Sequence, residues 1–193
     1  MAAGKGIITL GTYGGEPLTW QVLERRGSAA FLLSAFVITS VPFNGKDGPC
    51  TWADSGLRRW LNGRFLRGAF TPEEQLRILR TNLVHDGNVS LGVPGGPDTT
   101  DAVFCLSIEE ARRHLTEADL AADHTAHALK RRLKPDSRGQ AGWWLRSPGE
   151  DFAHAADVCG GRIMLYGLPV NTRGVGVRPA LWVALPEETE TGE

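Results

Sequence analysis

The chain has 193 residues, 41% of them apolar and 22% charged, with a formal net charge of −1. That length supports one domain with a real core, and so balanced a charge leaves no global field to draw in nucleic acid or an anionic membrane. Nothing approaches the roughly 18 apolar residues of a membrane span, and the opening MAAGKGIITLGTYGGEP lacks an apolar signal-peptide core, so a cytoplasmic location is expected.

The 24 glycines and 11 prolines predict many turns and short strands. IITLGTY (7–13) reads as a strand that turns at Gly14-Gly15 into LTWQVLER (18–25), with Leu18, Trp20 and Val22 on one face. AAFLLSAFVI (29–38) is a continuous apolar run, expected of a strand buried on both faces, and the three fit an antiparallel meander. In TWADSGLRRWLNGRFL (51–66), Leu57, Trp60, Leu61 and Phe65 repeat at helical spacing, with Asp54 or Ser55 as N-cap and Gly68 at the exit. FTPEEQLRIL (70–79) carries Thr71, Pro72 and Glu74, a capping box with its proline.

Residues 80–86 are strand-like, and 88–101 is a turn-rich surface loop. AVFCLS (102–107) predicts a short buried strand, after which Ser107 and Glu110 cap a helix through IEEARRHL. A more polar helix is expected over 117–134, ending before Pro135, and glycine-punctuated strands from 142 to about 185. The remainder, 186–193, reads as a solvated acidic tail, and 1–185 as a single α+β domain of mostly antiparallel short strands, flanking helices and a loop-rich C-terminal half. Cys50, Cys105 and Cys159 are odd in number and lack CxxC spacing, so they read as buried free thiols rather than a disulfide framework or zinc ribbon.

Seven segments in fixed order carry a resemblance: LGTYGGEPLTWQVL, FLLS (31–34), TWADSGLRRWLNGRF, FTPEEQLRI, FCLSIEE, WWLRSPG (143–149) and GVRPALWV. Together they span 7–185 and resemble a bacterial and phage family of domains of unknown function with a C-type-lectin-like fold. Relatives of that fold include retroelement-diversified variable proteins, formylglycine-generating enzymes and sugar-binding lectins. The resemblance implies that N- and C-terminal strands pair, that helices flank the sheet, and that the irregular second half displays a ligand surface. On this reading one of Trp143 and Trp144 enters the core while its neighbour faces the other way. Arg146 and Arg178 are structural, tying loop carbonyls or a carboxylate such as Glu73, Glu74 or Glu109. VRPALWV pairs with the N-terminal strand, and Pro179 marks an edge or bulge.

Between these frames lies EDFAHAADVCGGRIMLYGLPVNTRG (150–174). The expected ligand-binding residues are Asp151, Phe152, His154, Arg162, Met164, Tyr166, Leu168, Asn171 and Arg173. RIMLYG sets Arg162, Met164 and Tyr166 against Ile163 and Leu165, residue types enriched at interface cores. Either this face meets a partner, with help from the 88–100 loop, or it packs on a neighbouring loop; the resemblance favours the former.

Other motifs argue less. His124 and His127 lie three apart but lack the glutamate of HExxH and a third ligand. No GxSxG, GxxxxGK or GxGxxG is present, and KRRLK (130–134) reads as a solvated helix end. The lectins' calcium-coordinating sequences are missing, and Gly96-Pro97-Asp98 is only a turn. The expectation is a binding module without catalytic residues, metal or other cofactor, meeting a protein or other macromolecule and not nucleic acid. Alternatives are a formylglycine-generating-enzyme-like or metal-assisted oxidoreductase using Cys105 or Cys159, and a structural component of a phage or larger assembly. The sequence leaves the oligomeric state open.

Overall fold

In the computed structural model, which describes residues 6–186, β1 (Ile7–Tyr13), β2 (Glu16–Arg26) and β3 (Ala29–Ser34) form the expected antiparallel meander. Leu18, Trp20 and Val22 bury the shared face of β2, and the Trp20 indole N–H donates to the Leu10 carbonyl at 2.8 Å. β3 stops at Ser34 rather than running to Ile38, because the Ser34 hydroxyl turns back to the Phe36 carbonyl. The chain then enters a second sheet at β4 (Thr39–Ser40).

The helix expected over 51–66 begins at α1 (Gly56–Trp60), where Ser55 is the cap and accepts from the Arg58 N–H at 3.0 Å. It continues through a π turn (Leu61–Phe65) into α2 (Leu66–Ala69), burying Leu57, Leu61 and Phe65 along one stripe. The Thr71–Glu74 capping box opens α3 (Pro72–Arg77), which gives way to β5 (Ile78–Leu79). β6 (Thr81–Leu83) pairs with β7 (Thr99–Asp101) in a small separate sheet.

Residues 102–106 are buried as expected, with Ser107 half-buried, but the segment does not form a strand. Their polar backbone groups are met by side chains and single contacts: Asn62 bridges Ala102 and Val103, Phe104 makes an isolated bridge with Ala180, and Arg146 binds the Leu106 and Cys105 carbonyls. The Ser107–Glu110 box then starts α4 (Ile108–His114). The single helix expected over 117–134 is instead two short ones, α5 (Glu117–Leu120) and α6 (Ala126–Lys130). Thr116 caps the first and Thr125 the second, and between them Ala122 bridges Ala141 while His124 bridges Val37. His124 therefore precedes the helix, and the two histidines share no helical face. His127 stacks edge-on against Tyr13 at 5.0 Å, over Gly14. Gly14 has a φ of 64°, and a Cβ there would fall 2.3 Å from the imidazole.

The closing strands are β8 (Trp143–Pro148), β9 (His154–Cys159), β10 (Arg162–Pro169), β11 (Gly176–Val177) and β12 (Ala180–Ala184). Two five-stranded sheets result, in the orders β1-β2-β3-β12-β5 and β10-β9-β8-β11-β4. Among the described residues β11 with β8 is the one parallel ladder, so the architecture is α+β with mostly antiparallel strands and a few short helices. β12 does not pair with the N-terminal strand; it lies between β3 and β5, where Leu181 and Val183 are buried, and β1 is left as the edge. Arg178-Pro179 is the step from one sheet to the other.

Both tryptophans of β8 are fully buried, because both faces of that strand are covered. The Trp143 N–H reaches the Leu120 carbonyl (3.2 Å) and the Trp144 N–H the Val41 carbonyl (3.0 Å). Arg146 forms a bidentate pair with Glu110, not with Glu73, Glu74 or Glu109. No helix among the described residues is long and apolar enough to cross a membrane. The acidic tail beyond Pro186 lies outside the described residues.

Candidate functional site

β10 is the outer strand of its sheet, and its side chains alternate in burial as the sequence predicts. Arg162, Met164 and Tyr166 are exposed, Met164 at 45% and Tyr166 at 66%, while Ile163 and Leu165 pack against the core. The register breaks between Met164 and Leu168. Gly167 occupies that bulge with a φ of 71°, and a Cβ there would lie 2.2 Å from the Ala155 carbonyl. Asn88 holds the bulge from outside the hairpin: its amide nitrogen donates to the carbonyls of Leu165 (2.8 Å), Pro148 (3.2 Å) and Gly149 (3.1 Å). The 88–101 segment is thus not simply a surface loop, since its first residue is 1% exposed and clamps two stretches of backbone, 148–149 and 165.

The other expected site residues divide into two groups. Asp151 and His154 form a local staple at 2.7 Å, and the hydrogen bond from His154 holds the Asp151 carboxyl below its usual range. Phe152 is half-buried beside them and its carbonyl accepts from the Cys50 N–H at 2.7 Å. Leu168, Asn171 and Arg173 instead lie around concave surface at the foot of the hairpin. Leu168 and Arg173 line a cleft of about 310 Å³ together with Lys134, Gln140, Asp157 and Cys159. Arg173 and Asn171 also line an adjoining cleft of about 250 Å³ with Arg131 and Arg132. A third, of about 620 Å³, shares Gln140 and Cys159 and is bounded by Arg162 and Arg138.

Sequence reasoning missed Asp157 and the cations of 131–134. Asp157 is 3% exposed on β9, directly across from Met164 and Trp144. Burial pushes its carboxyl up to about 7. The one available signal was an acid embedded in the apolar stretch AADVC. The cations read as a solvated helix end because Arg173, forty residues on, meets them only in three dimensions.

Cys50 and Cys105 are buried as expected, but Cys159 is exposed, since it ends β9 at the Gly160-Gly161 turn. The Cys105 thiol is pushed up to about 12 by complete burial, which suppresses the thiolate a nucleophile or metal ligand needs. Among the described residues no cluster of three or more His, Cys, Asp or Glu is placed to hold a metal ion.

These features define an α+β protein whose C-terminal hairpin carries an exposed mixed face above a set of charged clefts. The chain belongs to the family described as Domain of unknown function (DUF6273), whose model matches residues 27–185. Searches of the curated proteins and of the solved structures found no match.

Proposed function

We propose that the protein is a binding module of C-type-lectin-like architecture that meets a protein or other macromolecule through the β9–β10 hairpin. The observation that carries this reading is the row Arg162, Met164 and Tyr166, turned outward on an edge strand whose backbone is fixed by Asn88 and Gly167. A cation, a thioether and a phenol side by side supply charge, adaptable apolar contact and a rigid amphipathic anchor. Rigid β-structure beneath them limits the ordering cost of binding. Kinship with the retroelement-diversified variable proteins would place sequence variation on this same face.

Simultaneous alanine replacement of Arg162, Met164 and Tyr166 tests it. Quantitative pull-downs with the wild-type chain and the triple variant should share no specific partner above background, while the variant still melts in one cooperative transition. Retention of the same partners by the folded variant would refute the assignment.

A further inference from the structure

Asp157 and Asp101 are both buried acids, and the contrast between them points to a second site. Asp101, with no measurable exposure, is saturated: its oxygens accept from the Trp52 indole (2.9 Å), the Arg58 guanidinium (2.7 Å) and the Thr99 hydroxyl (2.8 Å). Asp157 has no hydrogen-bond or ion-pair partner among the described residues, and its Oδ1 is fully shielded. Buried polar atoms are nearly always partnered, and an unpaired buried carboxylate is costly. Asp157 lines an open cleft, and its second carboxyl oxygen, which is not shielded in this way, is the atom that a group entering from outside can meet.

Lys134 and Arg173 line the same cleft and are exposed, and neither side chain has an ion-pair or hydrogen-bond partner among the described residues. They do not serve Asp157, whose elevated proton affinity reflects burial with no offsetting cation. The cleft thus holds an unsatisfied acid and unsatisfied cations that do not neutralise one another, beside a second carboxylate, Asp136, whose Oδ1 accepts from the Arg138 and Gln140 N–H groups. Leu168 and Val175 supply apolar wall, and about 310 Å³ suits a small molecule rather than a peptide.

We propose that this cleft binds a small zwitterion, its ammonium group seated on the Asp157 carboxylate and its anionic end on Lys134 and Arg173. The pairing satisfies both sets of groups at once, which neither a simple anion nor a simple amine does. Arg131 and Arg132 in the adjoining cleft extend the cationic end and accommodate either a carboxylate or a phosphate. The site adjoins the proposed macromolecular surface, sharing Leu168 and Arg173 with the expected binding residues, but none of Arg162, Met164 and Tyr166 lines it.

Calorimetric titration at low ionic strength with β-alanine, γ-aminobutyrate and O-phosphoethanolamine, against butyrate, inorganic phosphate and butylamine, tests the proposal. At least one zwitterion should saturate a single site with an affinity tenfold or more above both of its half-ligands. Asp157→Asn should reduce that affinity at least tenfold, to the level of the anionic half-ligand, and Arg173→Ala should weaken it comparably. The Arg162, Met164 and Tyr166 triple variant should bind the zwitterion as wild type does, so loss of macromolecular binding and loss of this site are read separately. The proposal fails if no zwitterion saturates, if none exceeds its half-ligands, or if Asp157→Asn leaves the zwitterion affinity above that of the anionic half-ligand; a carboxylate-only or phosphate-only preference then identifies the two ligand sources' shared anionic end as the whole signal.

Discussion

A buried acid makes stability depend on pH according to what surrounds it. Asp157 has an ordinary value of 3.8 and a folded value pushed up to about 7 by burial. Between those values the native state holds a proton that the unfolded chain has released, so stability falls as pH rises through the window. Above about 7 the penalty is constant, and below 3.8 it vanishes. At 1.36 kcal/mol per pKa unit the whole span is worth on the order of 4 kcal/mol. The charged or titratable groups lining its cleft with it are Lys134, Asp136, Cys159 and Arg173. Asp136 is occupied by the Arg138 and Gln140 N–H groups at 2.8 and 2.9 Å. Asp157→Asn removes the titration, so urea unfolding should show the variant gaining on wild type from pH 4.5 to pH 8, by roughly 2–4 kcal/mol. Parallel stability profiles for the two proteins would show that the carboxyl is not held protonated. Thiol accessibility follows burial in the same way: in the native protein Cys159 alone should react promptly with an aromatic disulfide reagent, with Cys50 and Cys105 reacting only on unfolding. Release of more than one thiol equivalent without denaturant would contradict that placement.

At the scale of the element, the hairpin that presents the exposed row owes its shape to a residue seventy-seven positions upstream. Asn88 donates to Leu165, Pro148 and Gly149, and the Tyr166 carbonyl accepts from the Glu150 N–H at 3.0 Å. Asn88→Ala leaves buried carbonyls without a donor and should cost roughly 2–3 kcal/mol. Amide exchange should rise first at the β10 bulge, and a loss of protection spread evenly over both sheets would show that Asn88 is not a local clamp. This clamp also marks where the sequence stops being legible. The alternation of 162–166 was readable because a strand's period of two is local, and the Thr71 and Ser107 boxes because capping spans three residues. Asn88 sits in a glycine- and proline-rich stretch that reads as surface, and its partners are distant in sequence. The break in the expected 117–134 helix was signalled locally, by Thr116 and Thr125 as caps, but helix-compatible residues around them outweighed that signal. AVFCLS illustrates the converse limit: an apolar run shows that a segment is buried, not that it joins a ladder.

The chain passes between its two five-stranded sheets four times, from β3 to β4, from β4 to β5, from β5 by way of the small β6-β7 sheet to β8, and from β11 to β12, and Arg178 lies at the last crossing. Its Nε donates to the Ser34 carbonyl at 2.8 Å, where β3 ends, and Nη1 donates to the Asp119 carbonyl at 2.6 Å in α5. The guanidinium also lies 5.2 Å from the centre of the Trp143 ring in β8. One side chain therefore joins the end of the first sheet, a central strand of the second and a helix that closes over it. It is 1% exposed, and burial lowers its proton affinity to about 10, still far above neutrality, so the group is charged at every working pH. Neutral carbonyls, rather than a carboxylate salt bridge alone, stabilise that charge, and their geometry requires the planar fork of arginine. Lysine retains the charge but not the fork, and methionine fills part of the volume while leaving the Ser34 and Asp119 carbonyls without their donor. Arg178→Met should lower stability by roughly 3 kcal/mol and Arg178→Lys by a similar or greater amount, because the lysine ammonium remains buried with poorer partners. The slope of free energy against urea should be unchanged in both if the sheets form a single cooperative unit. Should the methionine variant instead unfold within 1 kcal/mol of wild type, the crossing is held by apolar packing around Trp143 and the guanidinium is incidental to it.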